Sequence, residues 1–376
     1  MKPRVILLRG HSVAPWDLRP HELLTDDYEL AVLVSRRNLY GTSGLGIEQL
    51  PAESLTDPLP GATVRGLASK AAGERFLGLE QRLRGAEIVH VAELGNWYSA
   101  QAAALKRKLG FKLLVTTWET LPLRSAYRNI RTRPYARRVI AEGDRFLAAT
   151  ARARDALLLE GVEANRIEVC PPGVDLGRFA TARDARPPAD GSHMILSAGR
   201  LVWEKGHQDV IRALALLRLR GAPNASLTIV GDGPEGERLE RLAADLGLAG
   251  AVDFRASVAY DEMPVLYAQA SCLVLASIPV RYWEEQFGMV LAEAMAGGVP
   301  IVCSTSGAIP EVVGPGGLYF APGDWVGLAD ALQRGPLAFA PGRRTEWEAD
   351  RIGRFSTEQA AARLRGIYAD LLATGA

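Results

Sequence analysis

Cysteine is scarce in this 376-residue chain: Cys170, Cys272 and Cys303 are scattered, show no metal-type spacing and lie in apolar stretches. That excludes a disulfide framework or a cysteine-built zinc site, and it is what reduced core thiols of a cytoplasmic protein look like. Charge of one sign is also missing. With a net charge of +1, 23% charged and 48% hydrophobic residues, the chain is globular in composition and has no field that would draw in nucleic acid. The apolar run in the N-terminal MKPRVILLRG is too short for a signal peptide or a membrane span. Lysine runs out early, Lys205 being the only one beyond Lys112. No internal repeat or low-complexity tract is present, and the length suits two domains, each with its own core.

What is present alternates. Val5 to Leu8 predicts a buried strand ending in a turn at Arg9 and Gly10, and further strands are expected at Tyr28 to Val34, Glu87 to Val91 and Lys112 to Thr116. Helices are expected over Ala71 to Leu83 and Tyr98 to Leu109, and Asp144 to Ala148, Asp155 to Glu160 and Arg166 to Val169 continue the series. PPGVD at Pro171 to Asp175 opens a stretch rich in Pro, Ala and Asp that reads as a linker as far as Gly191. A second series follows, with strands at Met194 to Ser197, Leu227 to Val230, Val252 to Phe254, Cys272 to Leu275 and Ile301 to Cys303. The expected class is α/β, with two doubly wound Rossmann-like domains at residues 1–187 and 188–355 and a ligand in the cleft outside the carboxyl ends of their strands.

The stretch RYWEEQFGMVLAEAMAGGVP, Arg281 to Pro300, holds the most chemistry. Gly288 interrupts its first part, whereas Met289 to Ala296 is helix-forming and closed by Gly297, Gly298 and Pro300. The free N–H groups and dipole of that helix start favour an anion such as phosphate beside Gly288, Met289 and Val290. Glu285 and Glu293 flank the spot and suit sugar hydroxyls, although each alone also reads as an ordinary loop or helix-face carboxylate. Arg200 and Lys205 close the first strand of the second half, where a planar fork and a point charge together suit a diphosphate. GDGPEG at Gly231 to Gly236 fits the dinucleotide fingerprint, with Asp253 near the ribose-binding distance, so an NAD-dependent oxidoreductase is the competing reading.

The Glu, seven residues, Glu spacing of EEQFGMVLAEAMAGG, with GRLVWEKG at Gly199 to Gly206, VGDGPE at Val230 to Glu235 and SGAIPEVV at Ser306 to Val313, resembles the signature of the retaining GT-B glycosyltransferases. That family includes sucrose synthases and bacterial phosphatidylinositol mannosyltransferases. The resemblance implies a hexosyltransferase-type enzyme with a GT-B fold, whose final segment, residues 356–376, returns as a helix to the first domain. It implies a nucleotide-sugar donor and a hydroxyl acceptor that is a sugar, a lipid-linked group or a small molecule. Arg200 and Lys205 would hold the donor diphosphate, Glu285 a donor-sugar hydroxyl, Glu293 the ribose and the backbone near Val258 the base. Gly10 and Gly199 would allow close approach, with the phosphates on Gly288, Met289 and Val290. No Asp-x-Asp pair is present, so neither a metal nor another cofactor is expected.

The first half departs from that pattern. In place of a Gly-Gly loop it has Arg9, Gly10, His11, Ser12 and Val13, where His11 either reaches the site or caps a turn. In place of a histidine near the reacting sugar it has Thr117, Trp118 and Glu119, so that Trp118 becomes a candidate for shaping the acceptor pocket. His90 reads as a satisfied histidine at a strand end. The basic run from Arg124 to Arg138, with Arg124, Arg128 and Arg131 on one helical face, suits either a solvated surface or peripheral contact with an anionic membrane. A sugar-nucleotide-binding module without turnover is the remaining alternative.

Overall fold

The structure is a computed structural model that describes residues 1–61, 64, 68, 75–123, 132–222 and 224–374. Arg124, Arg128 and Arg131 lie outside these residues, as do residues 71–74 of the expected helix. The chain divides into two compact units, Met1–Gly173 with Thr357–Ala376, and Val174–Ser356.

The first unit is a parallel sheet in the order β3-β2-β1-β4-β5-β6-β7. Its strands are β1 (Arg4–Leu8), β2 (Glu29–Ser35), β3 (Glu48–Ala52), β4 (Ile88–Ala92), β5 (Lys112–Thr117), β6 (Arg145–Ala148) and β7 (Ile167–Val169). The connections carry α1 (Pro15–Glu22), α2 (Leu79–Leu83), α3 (Trp97–Leu109), α4 (Arg133–Glu142) and α5 (Ala151–Leu159). β1 is apolar from Val5 to Leu8 because it lies between two layers: Ile6 and Leu8 face one core cluster, Val5 and Leu7 the other. The first cluster is completed by α3 through Tyr98, Ala102 and Ala103. Within the described part of the expected helix, residues 75–83, only α2 is helical, because Phe76 bridges to Ser54 and Gly78 turns left-handed at φ 63°.

The second unit has the sheet order β10-β9-β8-β11-β12-β13. Its strands are β8 (His193–Ala198), β9 (Ala225–Val230), β10 (Val252–Arg255), β11 (Cys272–Leu275), β12 (Ile301–Ser304) and β13 (Leu318–Phe320). The helices are α6 (Leu176–Ala180), α7 (His207–Leu219), α8 (Gly236–Asp245), α9 (Met263–Gln269), α10 (Met289–Ala296), α11 (Ile309–Val313), α12 (Trp325–Arg334) and α13 (Ala349–Gly353). Residues 174–187, expected with the first half, fall in this unit. The reason is Phe179 of α6, fully buried with its ring 5.7 Å from that of Tyr267 on α9.

The chain then re-enters the first unit as α14 (Thr357–Ala373), whose Ala361, Leu364, Ile367, Tyr368 and Leu371 join the cluster of Val5, Leu7 and Ile88. Among the described residues no helix is long and apolar enough to cross a membrane.

Candidate functional site at the carboxyl ends of β8 and β11

In the second unit the strand order reverses at β8, which lies between β9 and β11, and ligands of open parallel sheets bind outside the carboxyl ends at such a reversal. Two loops meet there. The loop after β8 carries Gly199, Arg200 and a short turn, Trp203–Lys205, before α7. The loop after β11 makes a tight turn, with Val280 N–H donating to Trp283 O at 2.8 Å and Trp283 N–H to Val280 O at 3.1 Å, then passes through Glu285 and Gly288 into α10.

Lys205 Nζ donates to Glu285 Oε2 at 2.7 Å, and Ser277 Oγ donates to the same oxygen at 2.6 Å. Both charges are largely out of water, their side chains being 15% and 6% exposed. Trp283 presents its ring 5.1 Å from the ammonium, and the lysine stem passes beside Gly199. The backbone of Glu285 is fixed as tightly as its side chain: Ala308 N–H donates to Glu285 O at 2.8 Å, and a Cβ on Gly307 would stand 2.1 Å from that oxygen. This explains the Ser-Gly-Ala at Ser306 to Ala308. Arg200 is exposed and makes no ion pair among the described residues.

At the next turn Gly288 caps α10 in the left-handed region, φ 80°, and the first turn of α10 contains no acidic residue. The N–H groups of the half-buried residues Met289 and Val290 therefore begin a helix whose dipole no acidic side chain of its own first turn offsets. One turn further in, Glu293 is buried and accepts from Tyr267 Oη at 2.8 Å. Burial raises its carboxyl to about 7, against the opposing effect of that hydrogen bond.

The dinucleotide-like GDGPEG follows β9, one strand away from the reversal, where a dinucleotide fold would have it after the central strand. Its glycines serve packing: a Cβ on Gly231 would lie 2.0 Å from Gly199 O, and one on Gly233 2.3 Å from Leu201 O. Asp253 is the second residue of β10 and pairs with Arg255 at 2.7 Å. These features leave the NAD reading without a site. Val258 follows β10 in the loop that Ser257 ties to Asp232, the Ser257 N–H donating to Asp232 Oδ2 at 3.0 Å.

The remaining candidates belong to the first unit. Gly10, φ 62°, turns the chain after β1, and His11 Nδ1 shares a hydrogen bond with Ser35 Oγ at 2.5 Å. Trp118 N–H donates to Glu93 Oε1 at 2.8 Å, and Glu93 itself holds a positive φ of 64°. His90 stands in the middle of β4, not at its end, and both ring nitrogens are engaged, by Tyr368 Oη at 2.9 Å and Thr116 Oγ1 at 2.6 Å. Burial, with Arg9 nearby, holds it well below the usual histidine range, as befits a satisfied core histidine.

Four residues of the second unit's site were not singled out from sequence. Ser277, Trp283 and Tyr267 act through contacts that no local spacing announces. His207, directly after Gly206, does adjoin a recognised motif; its Nδ1 meets Ser197 Oγ at 2.9 Å and its Nε2 meets Arg200 O at 3.2 Å, which fixes the loop that carries Arg200. No grouping of three or more His, Cys, Asp or Glu side chains fit to hold a metal ion occurs among the described residues.

Residues 179–334 match the family described as glycosyl transferases group 1, and residues 21–173 match the glycosyl transferase 4-like domain. The chain is 34% identical over 243 residues to a GDP-mannose-dependent alpha-(1-6)-phosphatidylinositol monomannoside mannosyltransferase of Mycolicibacterium smegmatis, a match covering 58% of this chain and 60% of that protein. It is 31% identical over 296 residues to a D-inositol 3-phosphate glycosyltransferase of Frankia alni, covering 72% and 71% respectively. Against several such curated relatives the chain spans about half of the relative's length, 46% to 60%. Among solved structures, HepE of Anabaena in complex with UDP and glucose superposes with a TM-score of 0.77 at 18% identity, covering 98% of this chain and all of that one, a likeness of fold.

Proposed function

The chain belongs to the group 1 glycosyltransferases, and from there we propose that it moves a hexose from a nucleotide-diphosphate sugar to an acceptor hydroxyl, with retention at the anomeric carbon and without a metal ion. The observation that carries this reading is the buried Lys205–Glu285 pair held against Gly199 at the reversal point of the sheet. An ammonium has three donors, and Glu285 takes one. The others remain for a diphosphate that rests on the N–H groups of Met289 and Val290 and on Arg200, with no cation needed from solution. Glu285 Oε1 takes a hydroxyl of the donor sugar, Glu293 a ribose hydroxyl, and the backbone near Val258 the base.

In the reaction the bond from the anomeric carbon to the diphosphate oxygen breaks and the bond to the acceptor oxygen forms on the same face. The acceptor proton passes to the departing diphosphate, whose growing charge Lys205 and Arg200 stabilise. Glu285 is a poor candidate for a covalent nucleophile, because its Oε2 already accepts from both Lys205 and Ser277. The first unit carries the acceptor, with His11 and Trp118 as the residues to examine, while Gly10 allows close approach of the donor phosphates; acceptors like those in the relatives' names, phosphatidylinositol monomannoside and D-inositol 3-phosphate, are the first to try. A cytoplasmic protein with peripheral membrane contact through Arg124 to Arg138 completes the proposal; sedimentation with anionic vesicles that does not weaken as salt rises would remove that part.

The test is a thermal-shift screen of nucleotide diphosphates and their sugars, in which a ligand at 100 times its dissociation constant adds about 2.7 kcal/mol. Transfer with the best donor is then followed by NMR of the product anomer, with and without chelator. Donor binding without hydrolysis or transfer to any acceptor would leave a binding module. An inverted product, or activity lost to chelator and restored by magnesium, would overturn the mechanism.

A further inference from the structure

The second unit has a cleft at the opposite end of its sheet from the site described above. Its volume is about 620 Å³, within the roughly 300–1,000 Å³ of small-molecule sites, and it is open on one side. The floor is formed at the amino ends of β11, β12 and β13 by Ser271, Ile301 and Leu318. One wall is the end of α12 and the turn after it, with Arg334, Pro336 and Phe339; the other is a strap, Arg343 to Glu346. The strap is pinned from behind. The Arg344 guanidinium donates to the carbonyls of Ala182, Tyr267, Ala268 and Ala270 at 2.8–3.2 Å, and Thr345 N–H donates to Gly298 O at 2.7 Å. Just beyond, Trp347 is buried with its ring against Gly316, where a Cβ would stand 2.7 Å from it. Gly298 lies past the end of α10, so that helix separates the two sites: it starts at Met289 and Val290 and ends where the strap is tied.

The lining leaves two kinds of group open to a guest. Leu318 and Phe339 are large and apolar, yet 41% and 47% exposed. Arg334 and Arg343 are exposed, and neither guanidinium has an ion pair or a hydrogen-bond acceptor among the described residues. That of Arg343 stands 3.7 Å from the centre of the Phe339 ring. Arg344 is bonded to neutral carbonyls, so its charge is not cancelled, and Glu346 is the one acid of the lining. The cleft is therefore positive in a chain whose net charge is only +1. A neutral apolar guest would leave the arginines unanswered, and an inorganic anion would leave Leu318 and Phe339 wet. A flat apolar body with an anionic head answers both, since guanidinium groups pair with carboxylate or phosphate and stack on aromatic faces. We propose that this cleft is a second ligand site, which takes a small aromatic organic anion, a carboxylate or a phosphate ester. Its head meets Arg334 and Arg343, and its ring lies against Phe339 and Leu318. Such a ligand does not compete with a nucleotide at the start of α10.

The experiment uses the full chain with ¹³C-labelled leucine methyl groups, in which the Leu318 signals are assigned by their loss in Leu318→Val. Benzoate and phenyl phosphate are titrated with and without UDP, and phenol and inorganic phosphate serve as the body and the head alone. Benzoate and phenyl phosphate are expected to shift the Leu318 methyl signals saturably whether or not UDP is present, and phenol and inorganic phosphate to bind about tenfold more weakly. The double variant Arg334→Gln with Arg343→Gln, altered only at exposed side chains, is expected to lose the preference for benzoate over phenol and to leave UDP affinity unchanged. Leu318 signals that no probe moves would overturn the proposal. So would phenol binding as tightly as benzoate, which would mean an apolar crevice alone, or undiminished binding of both anions by the double variant. Displacement of both anions by UDP would place them at the start of α10 and would overturn it equally.

Discussion

The two glutamates of the second unit's site, Glu285 and Glu293, do opposite things with burial. Lys205 and Glu285 neutralise each other out of water, so removing one partner strands the other's charge. Lys205→Met is expected to cost about 3–5 kcal/mol of stability and, if the variant is refolded at low temperature, about 10²–10³-fold in turnover through the lost stabilisation of the leaving group. Lys205→Met with Glu285→Gln should recover most of the stability in denaturant titrations and none of the turnover; recovery of both would remove Lys205 from the chemistry. Among the described residues Glu293 has no cationic partner of this kind. Its carboxyl is raised from 4.5 to about 7, so the folded chain binds a proton that the unfolded chain has released. Stability of the unliganded protein should therefore fall as pH rises from about 4.5 to about 7 and stay low above, by at most about 3 kcal/mol. Glu293→Gln should be neutral at pH 4.5 and stabilising at pH 8, as chemical denaturation at the two values would reveal. If ribose hydroxyls donate to this carboxylate, UDP binding near pH 7 should release part of a proton, readable as buffer-dependent heat in calorimetry.

Elements buried on both faces were legible in the sequence because their apolar runs are unbroken. β1, β4, β8, β9, β11 and β12 stand within one or two residues of their expected bounds, and α10 fills its expected range, Met289 to Ala296. β3 was not legible: it is an edge strand of sequence EQLPA, half polar and containing a proline that only an edge tolerates. α1 was missed for a related reason, since Pro15 and Pro20 disguise a helix that buries only Leu18, Pro20 and His21. The site divides along the same line. Gly288 and the two glutamates announce themselves through local spacing, whereas the Lys205–Glu285 bond spans 80 residues and Tyr267 reaches Glu293 from a different helix. Such pairings depend on which loops the strand order brings together. The start of α10 makes its own prediction. Gly288→Ala places a methyl 2.9 Å from Leu291 Cδ1 in a left-handed conformation, at a cost of about 1–2 kcal/mol. By moving the Met289 and Val290 amides it should weaken UDP or GDP binding at least tenfold while leaving the corresponding nucleoside nearly unaffected; equal losses for both would place the phosphates elsewhere.

At the scale of the whole molecule the division is asymmetric: the second unit is one continuous stretch, while the first is assembled from both ends of the chain. The core of the second unit, built on Ile195, Val210, Leu214, Leu227, Val274 and Val302, lies wholly within residues 174–356. Expressed alone, Val174–Ser356 is expected to unfold cooperatively and to bind UDP or GDP within about threefold of the full chain's affinity; a fragment that folds but does not bind would mean that the first unit contributes to the donor site. The complementary truncation, ending at Ser356, removes Ala361, Leu364, Ile367, Tyr368 and Leu371 from the core of the first unit and one hydrogen-bond partner from His90. It should leave that unit molten or aggregated, visible as lost near-ultraviolet dichroism. α14 also sets an order of events during synthesis. As it leaves the ribosome, the stretch Met1–Gly173 cannot complete its own core, because the last layer of that core is encoded after the whole of the second unit. At 5–20 residues per second the intervening unit takes about 10–40 s to emerge, and through that interval the nascent first sheet stands uncovered where α14 will dock, a client for chaperones until α14 itself has emerged.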